Sequence, residues 1–378
     1  MNNIQKENCI EINQTFFEEN FIKDYVYYKN DFEQDEELKS TKIFNLVKEE
    51  KENTIKNKYK SFIEKYFVYA EKVIPKNLDL KQLSDYRTKH TLYVYFLGAI
   101  LIQKGIFKNI KNIMGKNEDV LYYWFLVALF HDFGYTIEEN SIKYLINKLD
   151  LFYPLQNNEN YFNKFHITYA LFDHKFISKN SYINSIEKCS LYKFKTFRNY
   201  YNYCIEQLNF LEHGILGGIL LYDFLCKNYY EKSKGKLKDF SSNGKEFKKT
   251  DFDIYAYCAY SIAQHNMWRI NDLITIPKYL AYGLDELIGT DKKFNINKNP
   301  FSFLLGLVDT MEITKRNIDF KDINIVFDKE QNSIEFIFKD MKNKKEIKEQ
   351  HLNTIEKLSN WLDVKTDKQI KSVKIKIL

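Results

Sequence analysis

The chain contains seven histidines among 378 residues, and four of them, His90, His131, His213 and His265, share one setting: each continues the apolar stripe of a helical pattern. A neutral imidazole carries a lone pair on one ring nitrogen, which can ligate a metal ion, and a proton on the other, which donates a hydrogen bond. A single histidine on an apolar face is most often a hydrogen-bonded core residue, and that is the plain alternative. Four on separate helices strain it, because every buried ring needs partners for both nitrogens. A shared cation satisfies them together. Two carboxylates complete the set: Asp132 adjoins His131, and Asp309 ends the apolar run FLLGLVD. A carboxylate there needs a buried partner; Lys315 or Arg316 is the alternative to a metal.

Helices must position these side chains. In YRTKHTLYVYFLGAILI, His90 is in register with Val94, Leu97 and Leu101, and in VLYYWFLVALFHD, His131 follows Val120, Trp124 and Val127. Gly134 is well placed as a C-cap to that second helix. In LEHGILGGILLYDFL, His213 lines up with Gly217 and Leu220, while Gly214 and Gly218 permit close helix approach. His265 follows Ile254, Cys258 and Ser261 at the same spacing. Asn299 as N-cap and Pro300 at the first helical position open the segment that sets Ser302, Leu305 and Asp309 on one face.

Apolar helical patterns over 87–104, 118–132, 140–148, 208–227, 252–267 and 301–316, without period-two alternation between them, predict a mainly α core over 81–318. Residues 1–80 are charge-rich, with helical spacing clearest in IKNKYKSFIEKYFVYAEKVI, and read as a helical leader. In 319–378, INIVFD and SIEFIF flank a polar DKEQN turn, and a charged helix and a final SVKIKIL run follow; the segment reads as a small α+β appendage in the order ββαβ. The polar, lysine-rich 228–250 reads as a mobile surface connection.

Composition bounds the class. With 44% apolar and 29% charged residues, four prolines and twelve glycines, the chain is globular and built of long helices with few sharp turns. A net charge of +6 is too mild to imply nucleic acid. Cys9, Cys189, Cys204, Cys226 and Cys258 stand apart, without a CxxC pair, and suit free thiols in a reducing compartment. The opening MNNIQKENCIEINQ has no apolar signal core, and runs such as LYYWFLVALF fall short of the roughly 20 residues that a spanning helix needs. The expectation is a soluble cytoplasmic protein without a membrane partner, its oligomeric state open.

The ordered set His90, His131-Asp132, His213, His265, Asp309 resembles the HD superfamily of metal-dependent phosphohydrolases in its two-metal form, whose ligands run H, HD, H, H, D. The likeness covers about 81–316, and its context includes Asp85 and Arg87 in SDYRTKH and the final LLGLVD. It implies one metal held by His90, His131, Asp132 and Asp309 and a second held by Asp132, His213 and His265, with Asp132 bridging. Nitrogen and oxygen donors without thiolate suit iron, manganese, zinc, nickel, cobalt or magnesium. Two such ions, about 3.5–4 Å apart in two-metal enzymes, lower the pKa of a water between them and hold a phosphate oxygen in line with the resulting hydroxide. Charge growing on the phosphoryl oxygens calls for further cationic groups, and Arg87, one turn before His90, and Arg316, two turns beyond Asp309, are the candidates.

Tyr135 stands where the cyclic-dinucleotide-cleaving HD-GYP group has the lysine of HDxGK, and no GYP segment occurs, which disfavours cyclic di-GMP. Tyr135 either donates a hydrogen bond to a leaving oxygen or packs on its neighbours. Asp173, His174 and His166 either line the pocket or stand apart from it. The activity implied is hydrolysis of a phosphoester, that of a nucleotide or a similar phosphorylated small molecule first. Ranked below it are a di-iron oxygenase resembling myo-inositol oxygenase, a nuclease acting on single strands, for which the lysines of 228–250 speak, and a non-enzymatic sensing role.

Overall fold

The computed structural model describes residues 9–12, 85–103, 105, 120–132, 134–135, 191–210, 212–218, 221, 240–242, 245–247, 249–267, 269–289, 292–313, 318, 322–339 and 345–378. Helix accounts for 56% of these and strand for far less, so the chain is mainly α. No described helix is long and apolar enough to cross a membrane. The chain divides into two compact units: Met1–Lys108, Leu307–Ser359 and Asp363–Leu378 make a sheet-bearing unit, and Asn109–Gly306 with Asn360–Leu362 a helical unit. In chain order the main elements are β1 (Cys9–Ile12), α1 (Asp85–Gln103), α2 (Val120–Phe130), α3 (Phe194–Leu208), β2 (Phe240–Ser242), β3 (Lys245–Phe247), α4 (Lys249–Ala263), α5 (Ile276–Ala281), α6 (Pro300–Met311), β4 (Ile323–Asp328), β5 (Ser333–Phe338), α7 (Lys345–Glu356), β6 (Val364–Lys368) and β7 (Ser372–Ile377).

In the helical unit, α2 is apolar on all sides and buries every residue except Leu121 and Tyr122, as expected of a central helix. Helix α4 packs on it: the Cys258 thiol lies 3.8 Å from the carbonyl of Tyr123, and the Tyr123 and Tyr255 rings meet edge to face. Helix α3 presents Phe197 to Tyr260 of α4 and Tyr203 to Tyr279 of α5, with ring centroids 5.9 and 4.9 Å apart. It ends at Asn209, whose left-handed φ of 55° is one that asparagine tolerates. The first turn of α6 joins the same core through Phe301, stacked on Tyr257.

Part of the 228–250 connection is regular structure. Strands β2 and β3 form an antiparallel hairpin with Ser242 opposite Lys245, and α4 begins at Lys249. The two residues between the strands are Asn243-Gly244, a strong short-range hairpin signal that the surrounding lysines obscure.

In the sheet-bearing unit all five strands pair antiparallel in the order β1-β4-β5-β7-β6. Ile323, Ile325, Phe327, Ile334, Phe336, Phe338, Val373 and Ile375 are buried, as are Leu352 and Ile355 of α7. The appendage is ββαββ where ββαβ was expected. The additional strand, β6, has the sequence VKTDK and lies at an edge, where charged residues face solvent and block further pairing, so hydropathy does not mark it. The leader also departs from an all-helical reading: Cys9–Ile12 pairs with Asp328–Ile325 and covers the other side of β4. The expected helix at 140–148, the clearest helical stretch of the leader, His166, Asp173, His174, Lys315 and Arg316 lie outside the described residues.

Candidate metal centre

Helix α2 ends at Phe130, and the His131 amide donates to the Val127 carbonyl, so both His131 and Asp132 follow directly on the last turn and are fully buried. What brings the next segment to this point is the absence of side chains. A Cβ on Gly134 would lie 2.0 Å from the backbone oxygen of His213, and one on Gly217 would lie 2.2 Å from that of Phe130. Gly134 therefore acts by close approach, and its φ is not left-handed as the expected C-cap required. A Cβ on Gly214 would meet the His265 ring at 2.7 Å.

The rings are oriented by their far nitrogens. His131 Nδ1 lies 2.6 Å from the carbonyl of Ala128, and His265 Nδ1 lies 2.7 Å from that of Ile262. A carbonyl only accepts, so in both rings Nδ1 carries the proton and Nε2 the lone pair. His131 Nε2 stands 3.4 Å and His213 Nε2 3.7 Å from Oδ1 of Asp132. Two donors bound to one ion at about 2.1 Å, 90–110° apart, would be separated by about 3.0–3.4 Å, so these spacings are close to those of ligands sharing an ion. Asp132, His213 and His265 each offer a ligand atom, all within 4.8 Å of one another, and such a group can hold a metal ion.

Supporting contacts fix this arrangement. Glu212, fully buried, accepts from the amides of Gly214 at 3.0 Å and Ile215 at 2.6 Å and from Asn266 Nδ2 at 2.8 Å. It thereby ties segment 213–218 to the residue after His265. Gln264 donates to Ser302 of α6 and accepts from the Leu191 amide, anchoring the end of α4. The Tyr135 ring stacks on His213 with centroids 3.8 Å apart and planes 16° apart, so of its two expected roles the packing one is visible.

In the sheet-bearing unit, His90 of α1 is fully buried beside Val94, Leu97 and Leu101, as its register predicts. Its Nε2 lies 3.0 Å from Oδ1 of Asp309, and its Nδ1 lies 2.7 Å from Oε2 of Glu312, also fully buried. Asp309 is partly exposed, at 22%. Helix α6 starts at Pro300, as expected, and the Asn299 carbonyl accepts from the Phe303 amide, while its side-chain Oδ1 accepts from the Asn295 amide. His90 and Asp309 are thus a second nitrogen and oxygen donor pair. Arg87 lies on α1 one turn before His90; its side chain is outside the described set.

Sequence reasoning missed Glu212 and Glu312. Each had a local signal: Glu212 immediately precedes His213, and Glu312 follows Asp309 by three residues on one helical face. Burial pushes the Cys204 thiol up to about 12 and that of Cys258 well above its usual range, so neither of these two supplies a thiolate. No family model, no curated protein and no solved structure matches the chain.

Proposed function

We propose that the chain is a metal-dependent phosphohydrolase that cleaves a phosphoester, a nucleotide or similar phosphorylated small molecule being the first candidate substrate. The observation that carries this reading is the buried Asp132, His213 and His265 group beside His131, with the Nδ1 protons of His131 and His265 committed to carbonyls. Such a donor set fits hard or borderline divalent ions. In this reading Asp132, His213 and His265 of the helical unit, with His131 beside them, would hold one ion, and His90 and Asp309 of the sheet-bearing unit would offer donors to a second. When bound, the ions supply an activated water and neutralise phosphoryl charge. The chain's own part is to keep each Nε2 directed inward, to hold Asp132 out of bulk water, and to offer Arg87 and Arg316 to the phosphate. The order of the ligands along the chain, and its resemblance to two-metal HD enzymes, support the choice of reaction and substrate class.

The test is a hydrolysis screen of the full chain loaded with Mn²⁺, Fe²⁺ or Zn²⁺ against nucleotides and phosphodiesters. The expected result is product release that is lost in His131→Ala and persists with Mn²⁺ under anaerobic conditions. Hydrolysis of no member, or equal rates in His131→Ala, overturns the proposal.

A further inference from the structure

The histidines are not held alike at Nδ1. His131 and His265 lean on main-chain carbonyls of their own helical turns, whereas His90 leans on a carboxylate 222 residues away in sequence. Glu312 is fully buried, a position in which a carboxylate requires a strong donor. The imidazole presents its two nitrogens on opposite edges, and Glu312 takes Nδ1 while Asp309 faces Nε2. Glu312 is therefore on the wrong side of the ring to share an ion with Asp309 through His90.

We propose that Glu312 is a positioning residue: through its hydrogen bond to Nδ1 it fixes the ring angle and the protonated nitrogen of His90, and strengthens Nε2 as a metal ligand. The inference rests on the metal reading of His90 and Asp309. A carboxylate behind a ligating imidazole sets its tautomer and raises its basicity, and losing it typically weakens metal binding about 10–100-fold. Glu312 bonds the His90 ring, whereas the carboxylate nearest His213 Nδ1, that of Glu212, stands 3.7 Å away, so the metal position that includes His90 is the one that responds to a change at Glu312.

The experiment measures Co²⁺ affinity by chelator competition, and the visible Co²⁺ spectrum, in the full-length wild type, Glu312→Gln and Glu312→Met. Met fills a similar volume without an acceptor, whereas the Gln amide oxygen still accepts from Nδ1. The expected result is a loss of about 10–100-fold for one Co²⁺ equivalent and an altered spectrum in Glu312→Met. Glu312→Gln should retain the wild-type spectrum and an affinity closer to wild type than to the Met variant. Wild-type binding by Glu312→Met overturns the proposal, and so does a Gln variant as weak as the Met one. If Glu312→Met gives no cooperative melt without metal, Glu312→Leu takes its place under the same criteria. Failure of the wild type to take up Co²⁺ overturns the phosphohydrolase reading as well, which separates the two failures.

Discussion

His351 in the sheet-bearing unit and His131 in the helical unit are both fully buried, yet their surroundings differ. His351 lies on α7 with its ring edge-on to Phe336 and Phe338 of β5, at 5.0 and 6.0 Å. His131 has a backbone acceptor on Nδ1 and the Asp132 carboxylate 3.4 Å from Nε2. Among the described residues His351 belongs to no group of donors able to hold an ion, whereas His131, His213 and His265 do. Burial alone therefore does not distinguish a core histidine from a ligand. Several donor atoms converging on one point do.

The largest effect expected from breaking this contrast is at Asp132, whose carboxylate lies 3.4 Å from His131 and 3.7 Å from His213. Asp132→Ala should reduce metal-dependent hydrolysis to the no-enzyme background while far-ultraviolet circular dichroism stays that of a folded helical protein. Next is the scaffold of the cluster. In Gly217→Ala the new Cβ would press on the backbone oxygen of Phe130, which cannot rotate away, so a loss of about 1–3 kcal/mol or more is expected in a thermal melt of the metal-free protein. His351→Leu sharpens the comparison from the other side: His351 lies outside the groups able to hold an ion, so Co²⁺ affinity should stay at wild type. Smallest is the response of the buried thiols. With its pKa raised to about 12, Cys204 keeps its proton at pH 8, and Cys258 does likewise; peptide mapping should find both unalkylated by iodoacetamide until the chain is unfolded.

The helices that carry the site were readable because each has an apolar stripe of the right period. Expected segments 87–104, 118–132, 252–267 and 301–316 correspond to helices at Asp85–Gln103, Val120–Phe130, Lys249–Ala263 and Pro300–Met311. The inward phase of His90, His131 and His265 followed from the same stripes, and the glycines around His213 signalled close packing before any contact was known. Strand β6 escaped notice because a charged edge strand lacks alternation, and β1 because four residues are too few to stand out within a charged leader. The role of Gly134 was misread since a helix-ending glycine looks the same whether it serves a left-handed turn or a backbone contact. Glu312 eluded sequence reasoning for a different reason: its spacing from Asp309 places it near the site, but its significance comes from His90, 222 residues away, a meeting that the spacing does not encode.

The central claim, that the buried histidine and aspartate groups are a metal centre, is tested most directly by elemental analysis of the full-length protein after metal loading and removal of free ions. The account predicts two equivalents of a first-row divalent metal per chain in the wild type, a sharp fall in Asp132→Ala, and no change in His351→Leu. Retention of no metal by the wild type, or an equal content in Asp132→Ala, would contradict it.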